Sequence, residues 1–242
     1  MALLRWAAGL HKWIALIVGI QVLLWVTGGL VMTAIPIERV RGEHHAPPAV
    51  SAPLDVAGAL PLAEAAGRAG FAPARAELRD TPRGVVWSMV PPKGDPVILN
   101  GMTGARLSAI DEVEARRLAA KGYRGTVPPE RATYLPVAPQ ETGKTGPLWR
   151  VEFDDAEHTS LYLSPLTGEV ISRRSNLWRF YDFFWRLHIM DWWNGENFNH
   201  PLIIGAAVLT LTIVLSGFVL LWFRLARDRR NRRNRRPMMQ SA

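Results

Sequence analysis

The chain has 242 residues, is 48% apolar and carries a formal charge of +8, which is enough apolar material for one core of domain size. The charge sits at the ends: from Arg224 onward eight Arg face one Asp (+7), Arg5 and Lys12 add +2, and the middle is left at −1. A nucleic-acid-binding domain carries its basic residues on a folded surface, so that class is excluded; the lack of cysteine excludes disulfides, iron–sulfur clusters, thiolate zinc sites and c-type haem.

Residues 1–12 form a short basic N-terminus. Residues 13–35, WIALIVGIQVLLWVTGGLVMTAI, contain no formal charge, and a helix of that length crosses a hydrocarbon core of about 30 Å. The run is longer than the ~7–15 apolar residues of a signal peptide, and no A-x-A-like site precedes Pro36, so an uncleaved anchor is expected. Residues 36–53 read as a linker. His44 and His45 lie there in RGEHHAPP, and with no second cluster at ligand spacing they read as solvated linker residues.

Residues 54–108 and 109–173 repeat one pattern. VILNGMTGARLS (Val97 to Ser108) and LYLSPLTGEVIS (Leu161 to Ser172) align at an offset of 64. A Trp-bearing β-type run precedes each, around Trp87 and Trp149. Helix-like stretches ending at Phe71 and Tyr123 precede those. Helix, strand, strand, Thr-Gly turn and strand are therefore expected twice, with Gly104 and Gly168 supplying positive φ. Asp111–Glu112 reads as a helix start, Asp154–Asp155 as a solvated turn, and His158 as a surface turn residue.

Residues 174–200 contain WRFYDFFWRLHIMDWW, with eight aromatic residues in sixteen. With Ser175 or Asn176 as cap, Leu177, Tyr181, Phe184, His188 and Trp192 fall on one helix face, and Arg179, Asp182 and Arg186 on another. This predicts an amphipathic interfacial helix with Tyr181, Phe184, Trp185, Trp192 and Trp193 at the headgroup level. Residues 201–223, PLIIGAAVLTLTIVLSGFVLLWF, form a second uncharged span, and 224–242 an Arg-rich tail. Such a tail marks the cytoplasmic side. Both termini are therefore expected in the cytoplasm and the intervening domain outside, which in a bacterium means the periplasm and the inner membrane. In an antiparallel pair of spans, Gln21 falls level with Gly217, and Gly28 with Thr210, as small or polar helix-packing pairs.

LHKWIALIVGIQVLLWVTGGL at the start, RLHIMDWW before the second span and the TG-E-V-I strand resemble PepSY-associated transmembrane proteins over nearly the whole chain. The resemblance implies a membrane protein with two α+β PepSY modules outside the cytoplasm, often linked to iron or siderophore handling. Some larger relatives are haem-bearing siderophore reductases; two spans rather than about four weigh against a self-contained haem bundle here. Haem b is the cofactor to consider, with His11, His188 and His200 as candidate ligands. His11 and His188 lie about a bilayer apart, so bis-histidine ligation needs a homodimer, in which two copies of His11 hold one haem on one side and two copies of His188 (or His200) a second haem on the other. No hydrolytic, P-loop or dinucleotide motif is present. Three roles stay open: an interaction or regulatory module binding a periplasmic protein or peptide, a dimeric haem-bearing electron carrier for ferric-siderophore reduction, and a structural subunit of a transporter.

Overall fold

The computed structural model describes residues 2–48, 54, 56–193, 195, 197 and 199–235, with the side chains of residues 2–12, 220 and 231–235 outside that description. Helix α1 covers Ala2–Ala34, α5 Asn176–Ile189 and α6 Pro201–Arg235. Two compact units emerge, residues 1–34 with 182–242 and residues 35–181, and the boundary falls inside α5.

The first unit contains two helices long and apolar enough to cross a membrane, Trp13–Ala34 and Pro201–Arg230. Large apolar side chains stay exposed along both, with Leu30 at 66% and Trp222 at 71%. Water penalises such continuous apolar surface, and hydrocarbon does not. The backbone bonds are closed within each helix, as spanning segments require.

The second unit is α+β. After the short helix α2 (Ile37–Val40) come α3 (Leu62–Ala69) and strands β1 (Arg75–Thr81), β2 (Gly84–Val90) and β3 (Val97–Asn100). They form an antiparallel sheet in the order β1-β2-β3. Helix α4 (Glu112–Gly122) then leads into β4 (Pro129–Leu135), β5 (Leu148–Phe153), β6 (Ser160–Leu163) and β7 (Val170–Arg174), a second antiparallel sheet in chain order. Asp111 caps α4 by accepting from the Glu114 N–H at 2.8 Å, as its position before the apolar run suggests.

Each sheet buries one face under one helix. Ala65 and Ala69 of α3 pack on Met89 and Leu99; Ala115, Leu118 and Ala119 of α4 pack on Val151, Phe153, Leu161 and Leu163. The small alanines allow close approach, and the alternating positions of β5 supply the facing surface. Each half places a helix ahead of three antiparallel strands paired in chain order, and the second sheet adds a fourth strand after its Thr-Gly turn. The Trp87 indole donates to the Leu60 carbonyl at 3.0 Å, and the Trp149 indole to that of Ile110 at 3.2 Å. Gly104 and Gly168 have φ of +67° and +69°, and their N–H groups donate to Asn100 and Ser164 carbonyls at 2.8 and 3.0 Å.

The sequence pattern differs from the structure in two respects. Strands β1 and β4 stand between each helix and its Trp-bearing strand, where none was expected. Both lie at sheet edges; β1 alternates charged with apolar residues and β4 begins with the adjacent charges Glu130 and Arg131, which dilutes the apolar signal. After Thr103-Gly104 the chain makes only an isolated bridge, Leu99 to Arg106, in place of a strand. The sheets are linked by Arg79 to Glu169 at 3.1 Å and by Arg83, which donates to the Ser108 and Leu166 carbonyls at 2.8 and 2.7 Å.

Candidate functional sites

In the helical unit, Ser175 caps α5 by accepting from the Trp178 N–H at 3.3 Å, and α5 ends at Ile189 with Met190 at φ +58°. Trp192 therefore lies past the helix and does not continue its face; it and Trp193 are exposed. The Trp185 indole donates to the Gly195 carbonyl at 3.0 Å, and Arg186 pairs with Asp182 at 2.7 Å. Tyr181 and Phe184 are half-buried, whereas Phe180 and Phe183 are exposed. The outward side of α5 is thus partly aromatic and not purely charged, as suits a headgroup layer.

His188 lies against α1. A Cβ placed on Gly28 would stand 3.4 Å from the Phe184 carbonyl and 3.6 Å from both Cβ and Nδ1 of His188. Gly28 thus faces α5, in place of the expected partner Thr210, with room at ordinary van der Waals distance for no more than a methyl group. Trp25 completes the wall, its ring 6.4 Å from that of His188. Thr210 instead shares an open cavity of about 450 Å³ with Gln21, between α1 and α6, lined also by Ile17, Leu202, Gly205 and Leu209. Among the described residues, nothing lies within 4 Å of a Cβ placed on Gly217. Gln21 Nε2, Trp25 Nε1, His188 Nδ1 and Thr210 Oγ1 are all buried with no hydrogen-bond partner among the described residues.

A haem held by two histidines needs two ring nitrogens directed at one iron. His200 places Nε2 3.0 Å from the Ile189 carbonyl, which fixes a proton there and removes that nitrogen as a ligand. The side chain of His11 lies outside the described residues. Nδ1 of His200 is left, and Nδ1 of His188 is buried with no hydrogen-bond partner among the described residues.

The α+β unit contains a cluster that sequence reasoning dispersed into linker and turn. The residues after α2 fold into consecutive turns, with the His45 and Ala46 N–H groups donating to the Gly42 carbonyl at 3.1 and 3.0 Å. The Arg124 N–H donates to the His45 carbonyl at 2.7 Å, and Arg173 to that of Pro47 at 3.0 Å. His44 and His45 are therefore held against the domain rather than in a free linker; His44 stays exposed, and the His45 side chain is only 16% exposed.

They face the β5–β6 turn. His44 Nε2 lies 3.5 Å from Glu157 Oε1, His45 Nε2 3.3 Å from Glu157 Oε2, and His45 Nδ1 3.7 Å from Asp155 Oδ2. Asp155 is not a solvated turn residue: it accepts from the Tyr123 hydroxyl at 2.6 Å and the Thr159 N–H at 2.8 Å. Burial pushes its carboxyl up, but these hydrogen bonds outweigh burial and hold it below its usual range. Glu157 follows the same balance, with burial opposed by His45 and His44 and a net shift downward. Burial and the Asp155 charge push the Tyr123 hydroxyl up. His158 stays exposed near Asp154 at 3.8 Å. The signal available in sequence was only the EHH doublet and an acidic turn 112 positions away; nothing local pairs them.

A protein-family model for the PepSY-associated TM region matches residues 8–240. Neither the curated proteins nor the solved structures give a match. The matched stretch takes in both apolar helices, the α+β unit between them and the aromatic segment around His188, and on that coverage the chain belongs to the family of PepSY-associated transmembrane proteins.

Proposed function

We propose that this protein is a homodimeric, inner-membrane-anchored interaction module that presents two PepSY repeats to a protein or peptide partner in the periplasm. The Arg-rich end of α6 supports cytoplasmic termini. The matching turns at Gly104 and Gly168 support a duplicated PepSY unit. A role accessory to iron or siderophore handling follows the resemblance read from the sequence.

The observation that carries the proposal is the groove between α1 and α6, where Gln21 Nε2 and Thr210 Oγ1 are buried with no hydrogen-bond partner among the described residues. In a bilayer an unsatisfied polar group is costly, and a simple anchor needs neither residue. A carboxamide both donates and accepts, so Gln21 is complementary to its own copy across a two-fold axis. Gly205 and Ala206 beside it permit the close approach that membrane helix packing uses.

The lack of native cysteine makes the test direct. Ile17→Cys and Leu209→Cys, oxidised in membranes, are expected to give disulfide-linked dimers, and Val26→Cys, more than two turns along α1 and 64% exposed, is not. Absence of dimer at both groove positions, or equal dimer at Val26, refutes the proposal.

A haem-bearing dimer is the second reading, favoured by the inward placement of His188 beside Gly28. Two protomers supply two copies of each histidine. A low-spin haem spectrum in protein from haem-replete cells, lost in His188→Ala, supports it; its absence leaves the interaction module.

A further inference from the structure

We propose that His44, His45 and Glu157 form a binding site for a divalent first-row transition-metal ion on the α+β domain. The site is distinct from the membrane groove and stands or falls independently of the proposed function.

The first argument is the spacing of the donor atoms. One ligand atom from each of the three residues can be chosen so that all lie within 4.8 Å of one another. Two ligands at metal bonds of about 2.1 Å stand roughly 3.0 Å apart at an octahedral angle and roughly 3.4 Å apart at a tetrahedral one. Glu157 Oε2 lies 3.3 Å from His45 Nε2 and Glu157 Oε1 3.5 Å from His44 Nε2, so each histidine meets one oxygen of the carboxylate near such a separation.

The second argument is that these atoms do not bond to each other. His45 Nε2 and Glu157 Oε2 are both buried, and at 3.3 Å they still make no hydrogen bond. An ion pair held by a protonated imidazole needs its N–H aimed at the carboxylate. Two ligand atoms held side by side with no hydrogen bond between them are a pair that a shared cation can bridge.

The third argument lies behind His45. Its other nitrogen, Nδ1, faces Asp155 Oδ2 at 3.7 Å, and Asp155 is itself fixed by Tyr123 and Thr159. A carboxylate behind a ligating histidine sets the tautomer that leaves Nε2 free for metal and raises its basicity. A modest closure of that distance completes the carboxylate–histidine–metal relay.

The donor set selects the class of ion. Two imidazoles and one carboxylate suit zinc, copper, nickel or ferrous iron, whereas calcium and magnesium prefer all-oxygen sites. Three protein ligands leave at least one coordination position open. His44, at 34% side-chain exposure, opens the site to solvent.

The test uses the full-length, tag-free protein in detergent, stripped with EDTA and titrated with Zn2+ by calorimetry. Co2+ absorption serves as a second probe. One ion per chain is expected, and His44→Ala and Glu157→Gln should each weaken binding by at least about tenfold. His158→Ala, on the same turn and exposed, should leave binding unchanged. Zn2+ should also raise the melting temperature of the wild type but of neither ligand variant. Glu157→Gln keeps the size of the side chain, and the Asn176 N–H donates to the Glu157 backbone carbonyl at 2.8 Å, so this variant retains the turn. No stoichiometric binding, or binding that all three variants share equally, overturns the proposal.

Discussion

Replacing Gly168 by alanine tests how the second sheet is closed. Gly168 has φ +69°, and an added Cβ would stand 2.3 Å from Leu118 Cδ1. Two costs add. An L-residue in the left-handed region loses about 1–2 kcal/mol. Leu118 is only 3% exposed and packs in the core of α4, so its methyl group has little room to retreat; overpacking of this kind costs about 1–3 kcal/mol. The expected destabilisation of the α+β unit is then about 2–5 kcal/mol, a large share of the roughly 5–15 kcal/mol that holds a domain folded. The control is Gly146→Ala: φ is +85° and nothing lies within 4 Å of the new Cβ, so only the backbone cost applies. Pulse proteolysis of the full chain in detergent across a urea series reads the fraction of intact domain. In a Leu118→Ala background the added cost of Gly168→Ala should fall to that of Gly146→Ala. If Gly168→Ala costs no more than Gly146→Ala in the wild type, the steric half of the argument is wrong.

Reporter fusions at Gly101 and at the C-terminus should give opposite compartment signals; the same signal from both would refute the two-span orientation. Glu141 accepts from the hydroxyl of Tyr162, which is fully buried, and faces Arg179 at 3.4 Å. Glu141→Ala should cost about 1–3 kcal/mol by leaving that hydroxyl without its acceptor, and adding Tyr162→Phe should restore part of the loss in the same proteolysis assay.

The membrane character was legible because it rests on uninterrupted runs, which no packing detail alters. The Thr-Gly turns were legible because positive φ is a local demand and glycine meets it locally. Strands β1 and β4 were not, since the exposed residues Arg75, Glu77, Arg131 and Tyr134 interrupt their apolar pattern. The depth pairing of the spans also shifted. Counting depth from the run ends set Gly28 opposite Thr210, but Gly28 faces α5 and Thr210 shares a cavity with Gln21. Matching run ends ignores that α5 occupies part of the surface of α1, and only the path of the chain through Met190 and Gly195, both at positive φ, sets where α6 begins.

The histidine cluster shows why some sites have no sequence signature. Zinc motifs are recognisable when the ligands sit on one short loop, because local geometry fixes their spacing. Here one half comes from the turns after α2 and the other from a hairpin turn, and each is fixed by its own backbone bonds. Gly42 has φ +69°, and a Cβ added there would stand 3.2 Å from Arg173 Cβ; the Arg124 N–H then holds the His45 carbonyl at 2.7 Å. On the other side, the His158 N–H donates to the Asp155 carbonyl at 3.0 Å and the Thr159 N–H to its carboxylate at 2.8 Å, setting the direction in which Glu157 projects. None of these bonds involves a ligand atom. Both halves therefore hold their positions without a cation, and binding would not have to bear the ordering entropy that an unfolded loop imposes. A preformed site of this kind gains affinity from rigidity and not from motif, which is why composition and spacing were silent about it.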